Sequence, residues 1–439
     1  MTSSTLVRTR ADQSVAIKTS SNWHALIATS LGIMFDAMDA SIYVIAMHPA
    51  LAELLNSKND AQIGFYGSLI LATFMAGWAL GGIVFGAIAD RCGRTKAMIG
   101  SILLYACCTA LCATSHSWQE LAFYRFLVGC GIGGEISIGV VVLAESWKGK
   151  GRIVATSFME AAFCVGYMLT SLLNFGVGTN SWRLLFVIGI VPALLTLYIR
   201  MKLREPESFQ RMQLEQAHTQ KPSAFQSVVQ SIKAIFAGDN RANTIRCGAA
   251  ASAAIVGYWA ALSWVPAWIN QLTGTEAVVE RSTATMVMNI AGLIACFAAV
   301  PMIAWFGRVN SLKISYAGCL VSGVLMFCTV HAYGAALNIW LATIGFFSLL
   351  PFGILCVYIP EVFKTKVVGT ACGFAWSVGR LLAGATVLGG GYLVTVCGGD
   401  YAVAGCAAAF VYALGWIVSI FMPETHGIVA GGHKANGSA

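Results

Sequence analysis

The stretch LGIMFDAMDASIYVIAM (31–47) holds two acids, Asp36 and Asp39, inside an otherwise apolar run. A carboxylate held in hydrocarbon costs roughly 2.5–3.5 kcal/mol on insertion scales, so its presence there needs a chemical reason. Other ionisable residues sit in similar settings: Arg125, Glu135, Glu160 and Arg380. An acid in such a place can bind and release a proton, and it can pair with a cation that switches partner when the acid is neutralised. Arginine keeps its charge, so Arg380 requires either an acidic partner or an anionic ligand. Two carboxylates at one depth, as Glu135 and Glu160 come out by helix counting, would share a proton if close. Glu135 is a candidate for proton coupling, and Glu160 is read as a structural pairing near the cytoplasmic end.

The elements that position these groups follow from composition. Of 439 residues, 57% are hydrophobic and only 10% are charged. A soluble domain carries roughly 25% charged residues, so a water-exposed surface cannot be built from this set. Runs at 24–48, 63–89, 97–114, 120–145, 153–176, 182–201, 244–272, 281–306, 311–332, 336–360, 367–396 and 400–422 are long enough to span a bilayer as helices. The fold class is therefore an all-α membrane protein of twelve transmembrane helices in two sets of six. The domains are a tail (1–23), a first bundle (24–201), a polar linker with short amphipathic helices (202–243), a second bundle (244–422) and a second tail (423–439).

Charge sets the expected orientation. With both termini cytoplasmic, only Lys58, Arg183 and Arg281 of the 27 Lys and Arg fall outside, and only Arg125 and Arg380 lie within spans away from their ends. The net charge of +8 thus reflects topology rather than nucleic-acid binding, and the basic linker, read first as a topology anchor, could also touch anionic membrane lipid. The first twenty residues lack a signal-peptide core. The 14 Cys show no CxxC pair or Cys/His cluster, so no metal and no cofactor are expected. A P-loop motif is also missing, which argues against direct ATP coupling. Small residues recur at helix-packing spacing: Gly77/Gly81, Gly82/Gly86, Gly129/Gly133 and Ala375/Gly379.

Depth counting brings the charges together. Asp39 lies about 22 Å into an ascending span, and Arg125 about 8 Å from the outer side on a descending one, which in a core of ~30 Å is one level. Arg380 comes out near ~20 Å. Tyr258, Trp264, Asn289 and Tyr167 are polar or aromatic groups that could line a cavity at similar depth, with core or lipid-facing placement as the alternative. Trp268 reads as interfacial belt, and His48, His116 and His331 as ordinary surface histidines.

Sequence motifs then suggest a family. GAIADRCGRTK resembles the G-x-x-x-D-R-x-G-R-[RK] signature of the major facilitator superfamily, with Gly86, Asp90, Arg91, Gly93 and Arg94 in register. Asp90 follows a helix end and can cap a neighbouring helix N-terminus or pair with a cation, closing the cytoplasmic side. AESWKGKGR sets Glu145 seven residues before Arg152, like the acid–Arg pair of sugar porters, and PEVFKTK is a looser copy around Glu361. REPES (204–208) and PETHG (423–427) look like the ends of spans six and twelve in that branch. WFGRVNSLK keeps Gly307 and Arg308 but has lost the Asp, so a lopsided latch is expected. FDAMD resembles the D-G-x-D motif of aromatic-acid:proton symporters, departing from it at Ala37. Arg125 matches the fourth-helix Arg that pairs with a first-helix Asp in proton-coupled relatives. Arg380 stands where organic-anion carriers place an Arg associated with substrate charge.

The resemblance implies a secondary transporter of the bacterial inner membrane, not an enzyme, that imports a small organic anion, a carboxylate, with protons by alternating access. Asp36, Asp39, Arg125 and Glu135 are the expected proton-coupling residues. Arg380, Tyr258, Trp264, Asn289 and Tyr167 are the expected substrate contacts, and a monomer is the expected form. The rival readings are a proton-driven exporter of amphipathic compounds, a sugar or sugar-acid symporter, and a membrane protein without flux.

Overall fold

The computed structural model describes residues 3–57, 59–173, 181–190, 224–262, 265–273, 278–398, 400–425, 428–429 and 433–434. Spans one to five are helices over Ser3–Leu54, Asp60–Cys92, Arg94–Ala113, Trp118–Ser146 and Gly149–Leu173. Residues 182–190 are the described part of span six. Span seven runs over Asn240–Leu262, followed by a short helix, Val265–Thr273. The 52-residue helix Val278–Thr329 breaks at Gly307, where φ is 78°, and so supplies spans eight and nine. Ala335–Val362 is span ten and Val368–Val396 is span eleven. Span twelve is built from Tyr401–Ala409 and Val411–Ile420. The expected linker contains one described helix, Ala224–Ile235. The only strands among the described residues are Ile428–Val429 and His433–Lys434, paired antiparallel in the tail.

Two differences from the sequence reading concern helix ends. Span one begins at Ser3 rather than near residue 24, so the first tail continues the helix, while its long apolar window lies at Asn22–Val44. Span four starts at a cap: Ser117 Oγ accepts from the Glu120 N–H at 3.2 Å, and the Glu120 carboxylate accepts from His116 N–H at 2.8 Å. Such reciprocal bonds satisfy donors that a helix start leaves orphaned. Asp400 does the same for span twelve, accepting from Ala402 and Val403.

Packing follows the glycines. In span four, Gly129 and Gly133 lie on the span-two backbone at Phe74 and Trp78, while Gly131 faces Tyr105 and Ser101 of span three. Span two meets span four through Gly77 and Gly81 and presents Gly82 and Gly86 to span eleven, at Gly373 and Gly369. Backbones can approach this closely only where side chains are missing. At the end opposite the DRCGR turn, Glu53 of span one accepts from Trp182 Nε1 (2.8 Å) and Arg183 Nη1 (2.5 Å), and Arg183 also donates to the Ser115 carbonyl (3.1 Å). Those two bonds hold the Glu53 carboxyl below its ordinary value.

Two outcomes are expected. A Cβ on Gly131 would sit 2.6 Å from Tyr105 Cβ, whereas nothing lies within 4 Å of one on Gly64. Gly131→Val should therefore destabilise the protein by about 1–3 kcal/mol, and Gly64→Val should be neutral in thermal unfolding in detergent. A carboxyl with a depressed folded-state pKa stabilises above its unfolded pKa, and that gain fades as pH falls through the folded value. Glu53→Gln should thus lower thermal stability at pH 7 by at most about 1 kcal/mol, because the pair is largely exposed, and the difference should vanish in acid below the carboxylate range.

Candidate functional site

The Asp39–Arg125 pair is formed directly. Arg125 Nη1 donates to Asp39 Oδ2 at 2.8 Å, and the Thr109 hydroxyl donates to Asp39 Oδ1 at 2.9 Å. Both side chains are almost fully buried. The guanidinium lies 4.6 Å from the Phe74 ring centroid, 5.1 Å from Tyr43 and 5.8 Å from Phe186. Aromatic faces stabilise a cation that has lost its water, so spans one, two, three, four and six together hold this charge. Asp36 is equally buried one turn earlier on span one, and Glu135 is fully buried on span four.

A separate cavity lies between the two halves. Its open space, mouth included, is about 830 Å³. Arg380 enters it from span eleven, its guanidinium 4.5 Å from the Trp78 ring centroid of span two. Arg380 Nη1 is buried without a hydrogen-bond partner; among the described residues no carboxylate bonds to Arg380, and Asp36 and Glu160 act on its charge from further off. Phe352 and Trp376 stack at 5.7 Å and 11°, with Tyr258 edge-on to Phe352 at 6.1 Å. Phe163 adds another aromatic wall. The result is a cation in a box of ring faces, a setting whose charge and shape complement a flat, largely apolar anion.

The expected substrate contacts divide. Arg380 and Tyr258 line the cavity. Tyr167 stands behind the wall, its ring 5.1 Å from Phe163. Asn289 is not a lining residue: its amide donates to the Thr285 carbonyl one turn back, at 2.8 Å. Trp264 lies outside the described residues. Asp36, Asp39, Arg125 and Glu135 are buried beside the cavity rather than in its lining. Trp268 is buried against Phe327 (4.9 Å) rather than set in an interfacial belt.

Glu160 corrects the sequence reading. It lines the cavity with Arg380 instead of making a pairing near the cytoplasmic end, and its Oε1 accepts from the Cys356 thiol at 3.1 Å. Sequence reasoning also passed over Trp78, Phe163, Phe352 and Trp376. A usable signal existed: Trp376 precedes Arg380 by four residues and Phe163 follows Glu160 by three, spacings that share a helix face.

The DRCGR end is latched. Asp90 accepts from the Gly369 and Thr370 N–H groups (3.1 and 2.7 Å) and from the Thr370 hydroxyl (2.8 Å), capping the start of span eleven across the two halves. An acid at a helix N-terminus meets orphan donors and the positive dipole end. Arg94 joins Glu145 and the Thr365 carbonyl, each at 3.1 Å. Gly86 leaves room for this contact, since a Cβ there would lie 2.6 Å from the Gly369 carbonyl oxygen. Gly93 takes φ 114°, a value that favours glycine. Arg91 is half-buried at the same turn.

The second-half copy is built differently. Glu361 receives Arg308 of its own half (3.0 and 3.2 Å), Arg152 of the first half, and the Thr425 hydroxyl. Glu424 of the PETHG run accepts from Arg308 and Val309 N–H, both at 3.0 Å, and so caps span nine beyond Gly307. Glu145 and Arg152 are therefore not partners of each other; each reaches a different site.

Helices in two bundles around a central cavity, fastened at one end, define a membrane carrier rather than an enzyme. Residues 29–388 match the model of the Major Facilitator Superfamily, and the chain belongs to that family. It is an integral, multi-pass membrane protein. A putative metabolite transport protein of Haemophilus influenzae is 28% identical over 420 residues, 92% of this chain and 97% of that protein. The cis,cis-muconate transport protein of Acinetobacter baylyi is 27% identical over 414 residues, 91% and 94% of the two chains. Among solved structures, the proton:xylose symporter XylE of E. coli superposes with a TM-score of 0.76 at 17% identity, covering 94% of this chain and 98% of that one.

Asp90→Ala removes three hydrogen bonds that join the halves. Maleimide labelling of Cys372, which is buried two residues beyond Thr370, should rise severalfold in the variant, read by mass spectrometry of its peptide. Unchanged labelling would mean that the cap does not hold this end shut.

Proposed function

We propose that this protein is a proton-coupled symporter of the bacterial inner membrane, taking up a small aromatic or otherwise unsaturated carboxylate by alternating access. The observation that carries the reading is Arg380: a buried cation with an unpartnered Nη1, facing a cavity walled by ring faces. A guanidinium binds a carboxylate in a planar fork, and the rings favour a flat body over a polyhydroxylated one. The muconate carrier among the relatives moves an unsaturated acid, which agrees with this chemistry.

Coupling is assigned to Asp39 and Arg125, with Asp36 and Glu135 as further proton carriers. Protonation of Asp39 neutralises one member of a buried pair and leaves Arg125 to seek another partner. The two charge states thus favour different helix arrangements. Orientation with both termini cytoplasmic, import from the opposite side, monomeric function and a proton gradient as the sole energy source complete the proposal.

Purified protein in liposomes tests it, with benzoate as the probe. Arg380→Met should weaken binding roughly 100-fold, the scale of losing one member of a buried charge-assisted contact. Arg380→Lys should recover only part of this because it lacks the fork. Asp39→Asn mimics the protonated acid, so exchange should persist while gradient-driven accumulation fails. Full accumulation by Asp39→Asn removes Asp39 from coupling, and export of amphipathic cations without anion uptake overturns the import reading.

A further inference from the structure

Glu160 has no role in the mechanism above, yet it shares the cavity with Arg380. The two charges come from opposite halves, Glu160 from span five and Arg380 from span eleven, and each rests against the half it does not belong to. Arg380 lies over Trp78 of span two, and Glu160 is bonded to Cys356 of span ten. They make no hydrogen bond or ion pair with each other, although each feels the other's charge. A thiol is a weak donor, so the bond from Cys356 leaves Glu160 with most of its accepting capacity unused. The side chain is half-buried, with open space on its cavity side. Among the described residues lining this cavity, Arg380 and Glu160 alone have a basic or acidic side chain.

We propose that Glu160 sets the selectivity of the cavity: it accepts a hydrogen bond from a donor on the ligand and repels a second carboxylate. This rests on the reading of Arg380 as the carboxylate site. The preferred ligand is then a flat monocarboxylate bearing a hydroxyl or N–H on its ring, with Arg380 taking the acid and Glu160 taking the donor. Such a ligand touches both halves at once through a charged contact on each. A dicarboxylate would bring its far end up to Glu160, and a like-charge encounter in a cavity of apolar walls is strongly unfavourable. The chain would thereby reject the substrate of its muconate-carrying relative while keeping that protein's overall plan.

The test is equilibrium binding to purified full-length protein with four probes: benzoate, 3-hydroxybenzoate, 4-hydroxybenzoate and cis,cis-muconate. Wild type should bind the better hydroxybenzoate about tenfold more tightly than benzoate, as expected for a hydrogen bond to a charged acceptor. Muconate should bind at least about tenfold more weakly than benzoate. Glu160→Gln keeps the shape and a neutral acceptor, so the hydroxyl preference should narrow and muconate should gain about tenfold. Glu160→Leu should abolish the hydroxyl preference while benzoate still binds, which also shows that the variant is folded. Muconate binding more tightly than benzoate to wild type, or both ratios unchanged in Glu160→Gln, overturns the proposal. Arg380→Met separates the two readings. If that variant binds benzoate as wild type does, the carboxylate assignment fails, and the Glu160 proposal falls with it. If it loses all four acids while Glu160→Gln leaves the ratios unchanged, only the selectivity role is wrong.

Discussion

A charge removed from water must meet an opposite charge, a dipole or a ring face, and nearly every informative contact in this protein is one of these solutions. Arg125 uses Asp39 and three rings. Asp90 uses the start of a helix. Glu361 gathers two arginines and a hydroxyl. Arg380 has a ring beneath it and an Nη1 that no group among the described residues bonds. Buried ion pairs contribute little net stability, because desolvation offsets their attraction. Their number here is better understood as machinery whose balance can change than as reinforcement of the fold.

The sites differ in how tightly they are completed. The pair at Asp39 is satisfied on both oxygens, and the latch around Asp90 on both of its own. Buried nitrogens without a partner among the described residues remain at both arginines, Nη1 of Arg380 and Nε and Nη2 of Arg125. Incomplete polar groups inside a protein are costly unless a ligand or water takes the vacancy.

Much of this was legible in the residues themselves. Acids inside apolar runs stand out because hydrocarbon tolerates them so poorly, so Asp36, Asp39 and Arg125 could be singled out and matched by depth alone. The DRCGR turn stood out by its resemblance to a family signature, with Asp90 expected to cap a helix or to pair with a cation; it caps span eleven and also meets Arg94 at 3.4 Å. Cavity walls were harder. Trp78 and Trp376 are ordinary residues in a membrane helix, and only the azimuth of each helix decides whether they face lipid, core or ligand. Glu160 was misplaced for the same reason: counting residues yields depth along a helix but not the direction in which a side chain leaves it. Asn289 shows the converse, since a polar residue at the right depth satisfied itself on its own backbone. The expected break in the second-half latch at Gly307 was legible as a lost Asp. Its replacement by Glu424, arriving from the far end of the chain, was not.

Where spans two and eleven cross, Gly82 and Gly86 lie on Gly373 and Gly369, and Ser377 reaches the Ala79 carbonyl at 2.5 Å. Interlocked side chains would have to unmesh before one bundle could tip against the other. This crossing has few such teeth: besides the close backbone contacts, it is fastened by the Ser377 bond and the Asp90 cap. Even a single methyl added at Gly86 or Gly369 would wedge the two helices apart and push the cap out of reach.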